Sequence, residues 1–197
     1  MEPGVSIKNP GEEENNALNL LSCIGNPATV ISGAAKGEKG FVTGSHGGVE
    51  DLLIYFPRET LEKMTVEDKV QVRMQGRGMK IQGFEDTVHC ISVDPQLFEK
   101  MDIMVEDGRL VIPVAARIPA HLMGSGMGEF SAVKGDYDIM TADREEIRRL
   151  HLDRLRYGDI VLLENCDNTY GRGYLKGAVS IGVVIHGDCI LMGHGPG

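Results

Sequence analysis

The chain ends in VSIGVVIHGDCILMGHGPG, which mixes two histidines, an aspartate and a cysteine with glycines and β-branched residues. Imidazole is the side chain used most often for proton transfer near neutral pH, and it is also a common metal ligand. We therefore treat His186 and His194 as candidate catalytic residues. The alternative is a hairpin that carries its histidines into solvent.

The Gly-Asp pair that follows His186 is typical of a two-residue type II′ turn between two strands. In such a hairpin His186 pairs with Cys189, and Ile181 lies on the face turned to the core. Side-chain alternation then puts His186 and His194 on opposite faces, on the order of 16 Å apart along the strand. Two histidines so placed cannot share one metal ion unless the GHGPG segment bends away.

A second segment, HLMGSGMGEFSAVKGDYDIM, places three spaced glycines ahead of acidic residues. Glycine lets the backbone approach a ligand closely and present its N–H groups, so we predict substrate binding by Gly124, Ser125, Gly126 and Gly128. The acidic residues are candidates for a general base or for ligands of a divalent metal ion: Glu129, Asp136 and Asp138. Asp136 and Asp138 would share one strand face. The alternative is a glycine-rich connector, since neither a phosphate-binding loop nor a dinucleotide fingerprint is present.

A third segment, LENCDNTYGRGYLKGAVS, is rich in hydrogen-bonding groups between two predicted strands. It reads as a loop of roughly a dozen residues, longer than a simple turn needs. Arg172 stands between two glycines and could bind a carboxylate or a phosphate through two nitrogens. We therefore predict that this loop holds the polar groups of a substrate, through Asp167, Asn168, Tyr170 and Arg172.

Short apolar runs bounded by glycine, proline or charged residues predict the elements that must position these side chains. The strand candidates are ATVISGAA, GFVTG, DLLIYF, KVQVRM, MKIQGF and TVHCISVD, and MVEDGRLVIPV is typical of a hairpin turning at Asp107 and Gly108. Two short helices are predicted from PRETLEKM and DPQLFEKM. A longer one, in TADREEIRRLHLDRL, would be capped by Asp143, with Glu146 reaching back. The fold class is therefore mainly β with a few short helices.

One pattern occurs twice with constant spacing: Leu61-x-x-Met64-x-x-x-Asp68-x-Val70-x-Val72 and Leu152-x-x-Leu155-x-x-x-Asp159-x-Val161-x-Leu163. Each copy predicts a helical turn, a tight turn ending in aspartate, and an alternating strand. We interpret the chain as a pseudo-barrel or as two small barrel-like β halves, over residues 21–100 and 101–197. Residues 1–20 are predicted to be a poorly ordered acidic extension. A coincidence between two unrelated units is the alternative.

Composition narrows the classes of function. The net charge of −9 disfavours binding to nucleic acid, whose partners are usually basic. The sequence has neither a secretory signal pattern nor an apolar run of about 20 residues, so no membrane association is predicted. The four cysteines are far apart in the sequence, and reduced thiols in a cytoplasmic protein are the simplest interpretation.

Long stretches of the chain resemble an uncharacterised prokaryotic family, the domain-of-unknown-function family 4438. The stretches are KGEKGFVTGSHGG, GSGMGEFSAVKGDYDIMT, LRYGDIVLLENCDNTYGRGYLKGAVSIGVVIHGD and GHGPG, within residues 20–197. The resemblance implies a mostly β pseudo-barrel and no established reaction. It also implies that family members continue beyond the GHGPG-like segment, so this chain would be a truncated member. A fainter, fold-level likeness is to acetamidase/formamidase-type hydrolases.

These observations favour a small-molecule enzyme, a hydrolase acting on amides or related carbonyl compounds, with or without a divalent metal ion. In this hypothesis Asp136, Asp138 and Glu129 are bases or metal ligands, and His186 or His194 moves a proton. The alternatives are a non-enzymatic module that binds nucleic acid or a protein, and an oligomeric structural protein. A homo-oligomer is expected in any case, because a partly covered β surface favours self-association.

Overall fold

A computed structural model describes residues 4–49, 51–124, 133–188 and 195–197. The chain divides between Lys100 and Met101 into two compact units, called here the N-terminal and the C-terminal unit. Strands contain 31% of the residues and helices 17%, which confirms the prediction of a mainly β protein with few helices. No helix in the described part of the chain has the length and apolar character needed to cross a bilayer.

The N-terminal unit is built on a five-stranded antiparallel sheet that curls into a half-barrel. Its spatial order is β1-β4-β3-β2-β5. The strands are β1 (Val5–Ile7), β2 (Pro27–Val30), β3 (Lys39–His46), β4 (Asp51–Tyr55) and β5 (Val70–Val72). The pairing of β3 with β4 shifts register between Val42 and Gly44. Such a bulge bends a strand and helps the sheet to curl.

The predicted poorly ordered extension is wrong over the described part of residues 4–20. Strand β1 pairs with β4, with Val5 opposite Ile54, and helix α1 (Glu12–Leu21) follows. The helix buries Leu18 in the core and also buries Asn15, whose side chain accepts a hydrogen bond from Asn9 N at 2.9 Å. The segment is ordered despite its acidic composition, because β1 pairs with the sheet and α1 buries one of its faces.

The core of this unit contains residues from the sheet, from α1 and from the segments that connect them. Its buried members are Leu18, Ala28, Val30, Ala35, Val42, Leu52, Ile54 and Phe56. The strands predicted from MKIQGF and TVHCISVD are wrong, because residues 79–92 form turns and irregular backbone and Val93 makes only an isolated bridge to Ile24. Gly83 within this range, and Gly78 just before it, have positive φ angles of 85° and 76°, which do not fit a regular strand.

Buried hydrogen bonds around Asp94 join the end of the turn-rich segment to the sheet. The short helices α2 (Arg58–Leu61) and α3 (Pro95–Glu99) were both predicted, and Asp94 caps α3 by accepting from Gln96 N at 2.7 Å. Its second oxygen, Oδ2, accepts from Asn26 Nδ2 at 2.9 Å and from Gln75 Nε2 at 2.7 Å. Asp94 is only 1% exposed. Its carboxylate therefore supplies acceptors to donors that water does not reach.

The C-terminal unit contains a hairpin and a three-stranded sheet. The hairpin pairs β6 (Met104–Glu106) with β7 (Arg109–Val111), which confirms the predicted turn. Asp107 and Gly108 have φ angles of 47° and 72°, as a type I′ turn requires. The sheet has the order β10-β9-β8, with strands β8 (Ala116–Ile118), β9 (Ile160–Asp167) and β10 (Gly173–Val183).

Helix α4 (Arg144–Arg149) begins as predicted, with Asp143 Oδ1 accepting from Glu146 N at 3.1 Å. It is shorter than its apolar pattern suggested, because His151 adopts a left-handed φ of 58° and a 3₁₀ turn follows. The predicted contact of Glu146 back to the cap is not formed among the described residues, because its carboxylate contacts His121 and Arg149 instead. The core of the unit consists of Ile118, Leu122, Met123, Ile139, Ile147, Leu152, Val161, Leu163, Cys166 and Val184.

The repeated pattern forms the same local turn in both units. Asp68 Oδ2 accepts from Thr65 N at 2.9 Å, and Asp159 Oδ2 accepts from Arg156 N at 2.8 Å. Each turn follows a helical segment and leads into a strand, β5 or β9. The predicted turn ending in aspartate is therefore confirmed at both positions.

We expect Asp68→Ala and Asp159→Ala each to lower the free energy of unfolding by about 1 kcal/mol, because each leaves a turn N–H without its acceptor. Asp68→Ala should cost more, since Ser32 Oγ also donates to Asp68, at 3.0 Å. Urea denaturation measures both effects. Asp86→Ala is the control, because Asp86 is exposed and makes no side-chain hydrogen bond to the described residues. Equal stability of all three variants would contradict this role of the turns.

Candidate active site

His186 is buried by contacts that leave the sheet. Strand β10 ends at Val183, after which Ile185 N donates to Gly197 O at 2.7 Å and Gly197 N donates to His186 O at 3.2 Å. This pairing brings His186 into the interior, where its exposure is 0%. The predicted hairpin strand through His186, with a solvated histidine beside the turn, is therefore wrong. His194 and Cys189 lie outside the described residues.

The predicted inward face of this segment is wrong at Ile181, whereas Ile185, on the same predicted face, is buried as predicted. Ile181 is 38% exposed, while Ser180 on the opposite face donates to Cys166 O at 2.9 Å. The register between β9 and β10 shifts between Tyr174 and Val179. The polar contact of Ser180 holds the face that was predicted to be the outer one toward the interior.

Two carboxylates converge on His186. Asp136 Oδ2 lies 2.7 Å from His186 Nε2, and Asp138 Oδ1 lies 3.6 Å from the same nitrogen. Both aspartate side chains are directed to His186, as expected for residues on one strand face, although residues 135–138 form no regular strand. Gly124 N fixes the backbone here by donating to Asp138 O at 2.6 Å. The structure thus brings together three of the candidate catalytic residues.

Both ring nitrogens of His186 face oxygen acceptors. Nδ1 lies 3.1 Å from Gly187 O, opposite the contact of Nε2 with Asp136. Two donors are needed, so either the ring is an imidazolium or the second proton lies on Asp136. Burial alone would lower the pKa of His186, but the hydrogen bonds to Asp136 and Gly187 and the charges of both aspartates outweigh it and raise the pKa.

A glycine allows the close packing beside these donor atoms. A Cβ atom at Gly197 would lie 2.1 Å from His186 Nε2 and 2.5 Å from Asp136 Oδ2. The backbone of Gly197 therefore approaches the pair more closely than that of any residue with a side chain could. The side chains of Asp136 and Asp138 keep 12% and 11% exposure, so the group is not sealed from solvent.

Tyr137 lies between the two aspartates in the sequence and packs in another direction. Its hydroxyl donates to Asn168 Oδ1, and the Arg172 guanidinium carbon lies 5.3 Å from the centre of its ring. Burial, with the nearby Cys166, raises the pKa of Tyr137 to about 12, so its hydroxyl stays protonated at neutral pH. Asn168 is held in turn by donating to Ser180 Oγ at 2.9 Å. Sequence reasoning did not identify Tyr137, although its place between two alternating aspartates was a signal.

Arg172 stabilises the start of the glycine-rich segment. It donates to Gly124 O at 2.5 Å and to Met123 O at 2.7 Å, which commits its two terminal nitrogens to backbone carbonyls. The predicted loop around it is also wrong. Most of that stretch belongs to β9 and β10, and only residues 168–172 connect them. Asn165 and Asn168 form hydrogen bonds within this hairpin, and Glu164 pairs with Arg117 on β8.

The remaining candidates do not join the group around His186. Asp167 Oδ1 accepts from Thr169 N at 3.0 Å within the turn, and Tyr170 is 99% exposed. Four further candidates, Ser125, Gly126, Gly128 and Glu129, lie outside the described residues.

A cleft of about 480 Å³ lies within the C-terminal unit. Its lining includes apolar side chains and charged ones, among them Ile147, Leu152, Leu155, Val184, Arg144 and Arg156. His186 also belongs to the lining, although it has no solvent-exposed surface, whereas Asp136 and Asp138 do not. The cleft is of a size that takes a small molecule. It does not itself give access to the carboxylates.

Family models match the whole length of the chain. The model described as domain of unknown function DUF4438, N-terminal, matches residues 1–99, and its C-terminal counterpart matches residues 100–197. A comparison with curated proteins gave no match.

The chain is also similar to a solved structure, described as the crystal structure of TM1086. The identity is 48% and the TM-score 0.91, over 99% of this chain and 68% of that chain. These matches include no acetamidase or formamidase, so that likeness is not shown. The two domain models and the 48% identity agree, and the chain belongs to the DUF4438 family.

Proposed function

We propose that this chain is a small-molecule hydrolase acting on an amide or a related carbonyl compound, with Asp136, Asp138 and His186 as its reaction centre. The observation that carries the proposal is the fully buried imidazole of His186, which lies 2.7 Å from one carboxylate and 3.6 Å from another. Groups that exchange protons are thus held together in a fixed arrangement.

The energetics of burial favour a functional role over a structural one. Taking a histidine and two carboxylates out of water costs free energy that apolar side chains of similar size would not cost. The unit already has an apolar core, to which Ile139 and Val184, near these groups in the sequence, both belong. Ionisable groups that are buried together are concentrated at functional sites.

Amide hydrolysis needs a proton acceptor and a proton donor at one place. The water oxygen forms a bond to the carbonyl carbon, the carbon–nitrogen bond breaks, and a proton from water ends on the leaving nitrogen. A carboxylate of Asp136 or Asp138 accepts the proton from water and returns it to that nitrogen. His186 adjusts the charge of the group through its contact with Asp136.

The test is a hydrolysis screen with the untagged chain on primary and secondary amides, lactams and esters, following the release of acid and of amine or alcohol. Wild-type protein should turn over at least one amide or ester. Asp136→Asn and His186→Gln should each lower kcat/KM by at least about 100-fold, the usual contribution of acid–base catalysis.

The chain offers a matched control pair outside the site. His121 Nε2 lies 3.1 Å from Glu146 Oε1, and these side chains are 62% and 20% exposed. His121→Gln and Glu146→Gln should therefore leave kcat/KM unchanged. The proposal is wrong if no substrate is turned over, or if the site variants match the controls. Salt-sensitive binding of RNA without turnover would instead favour a binding module.

A further inference from the structure

We infer that Asp136, Asp138 and His186 together bind one divalent transition-metal ion, of the Mn²⁺, Fe²⁺ or Zn²⁺ kind. This inference deepens the proposed function, and its catalytic meaning rests on that function. The binding itself is measured without a substrate, so the two claims can fail separately.

The distances from the imidazole to the two carboxylates suit ligands of a shared ion. Ligand atoms that lie about 2.1 Å from one ion are separated by about 3.0 to 3.4 Å in octahedral or tetrahedral geometry. The distances from His186 Nε2 to the carboxylate oxygens of Asp136 and Asp138 are 2.7 and 3.6 Å, which bracket that range.

The orientation of the ring is that of a metal-ligating histidine. Such a residue usually donates its other ring N–H to a carboxylate or a backbone carbonyl, which fixes the tautomer and turns the second nitrogen toward the ion. His186 Nδ1 lies 3.1 Å from Gly187 O, so Nε2 is the nitrogen directed at the aspartates. This contact is independent of the spacing of the donor atoms.

Charge and space point to the same ion site. A protonated His186 and two carboxylates carry a net charge of −1, whereas a neutral imidazole, two carboxylates and a divalent cation sum to zero. Gly197 keeps side-chain atoms away from Nε2 and from the Asp136 oxygen, where its Cβ would lie only 2.1 and 2.5 Å from them. One imidazole and two carboxylates are a donor set for transition metals rather than for Ca²⁺ or Mg²⁺.

An ion at this position would strengthen the proposed hydrolysis. A bound divalent ion makes its water molecule more acidic and polarises a carbonyl oxygen. Each aspartate has two oxygens, so an oxygen that binds the ion leaves a second one to accept the proton.

The experiment measures metal binding directly. The untagged chain, purified without a chelator, is analysed for bound metal by mass spectrometry. It is then stripped with EDTA and titrated with Mn²⁺ while free Mn²⁺ is followed by EPR. Mn²⁺ is the chosen probe because it prefers oxygen and imidazole ligands to the chain's thiols. We expect one Mn²⁺ per chain. Asp136→Asn and Asp138→Asn should weaken binding by at least about 100-fold, more than the loss of an outer partner costs.

Two further variants separate the loss of a ligand from other effects on binding. Gly197→Ala retains every ligand but fills the space beside them, and should weaken binding by at least about 10-fold. Glu146→Gln, in the exposed pair with His121, should bind as wild type does. Circular dichroism confirms that each variant is folded, and Asp138→Asn is the fallback if Asp136→Asn does not fold.

The outcomes are distinct. Wild-type protein that binds no Mn²⁺, or site variants that bind as Glu146→Gln does, overturn the metal site. EDTA-resistant hydrolysis with no Mn²⁺ binding would overturn it and leave the hydrolase proposal standing. Mn²⁺ binding that is lost in the aspartate variants, without turnover of any amide or ester, supports the metal site while the hydrolase proposal fails.

Discussion

Asp94→Ala is expected to lower the free energy of unfolding by about 3 kcal/mol, a larger effect than that of the other turn and cap residues. The substitution removes the acceptor for Asn26 Nδ2 and Gln75 Nε2, which donate at 2.9 and 2.7 Å. It also removes the cap that accepts from Gln96 N at 2.7 Å. Buried donors left without an acceptor incur most of the cost. Urea denaturation followed by circular dichroism measures it.

The same carboxylate gives this prediction a pH dependence. Burial would raise the pKa of Asp94, but the hydrogen bonds from Gln75, Asn26 and the α3 backbone outweigh it and lower the pKa. A carboxyl with a lower pKa in the folded state contributes stability that is present above its unfolded pKa of about 3.9 and is lost below it. The stability difference between wild type and Asp94→Asn should therefore shrink as the pH falls from about 5 to 3.

Asp86→Ala is again the control, because its exposed carboxylate makes no side-chain hydrogen bond to the described residues. The role given to Asp94 would be contradicted if its alanine variant were as stable as Asp86→Ala. It would also be contradicted if the stability difference between wild type and Asp94→Asn stayed constant over that pH range.

Arg172→Ala is expected to lower the free energy of unfolding by about 2 kcal/mol and to reduce turnover together with metal binding. The guanidinium donates to Gly124 O and Met123 O at 2.5 and 2.7 Å and lies over the Tyr137 ring. Its loss releases the start of the glycine-rich segment and one face of Tyr137. The aspartates on either side of Tyr137 would then be held less firmly, since precise placement underlies both catalysis and ligation.

Arg172→Lys separates charge from geometry. An ammonium keeps the positive charge but cannot donate to two carbonyls through a planar fork, so it should restore less than half of the lost stability. Tyr170→Phe is the control from the same connection, because Tyr170 is 99% exposed. Full recovery by lysine would show that charge alone matters at this position, contrary to our account.

Local chemistry explains the elements that could be predicted from the sequence. The turn at Asp107 and Gly108, the cap at Asp143 and the repeated turns at Asp68 and Asp159 depend on neighbours within three residues. Glycine, aspartate and capping groups express such preferences wherever they occur. The order of β1 could not be predicted, because it depends on pairing with β4, more than forty residues away. The order of α1 depends on the burial of Leu18 in the core.

The site was predicted in its residue types but not in its geometry. The candidates included Asp136, Asp138 and His186. The burial of His186, however, depends on backbone hydrogen bonds between residues 185–186 and Gly197. The Gly187-Asp188 pair had predicted a hairpin turn there instead. Arg172 was assigned to a substrate, whereas its donors are satisfied by Met123 and Gly124. Contacts between segments far apart in the sequence decide these points, and alternation along one strand does not report them.

The most direct test of the reaction centre compares His186→Gln with His121→Gln on the substrate that wild-type protein hydrolyses fastest. Both substitutions remove an imidazole that contacts a carboxylate in the C-terminal unit, but only His186 is buried. Our account predicts that kcat/KM falls at least about 100-fold in His186→Gln and is unchanged in His121→Gln. Equal kcat/KM in the two variants would contradict it.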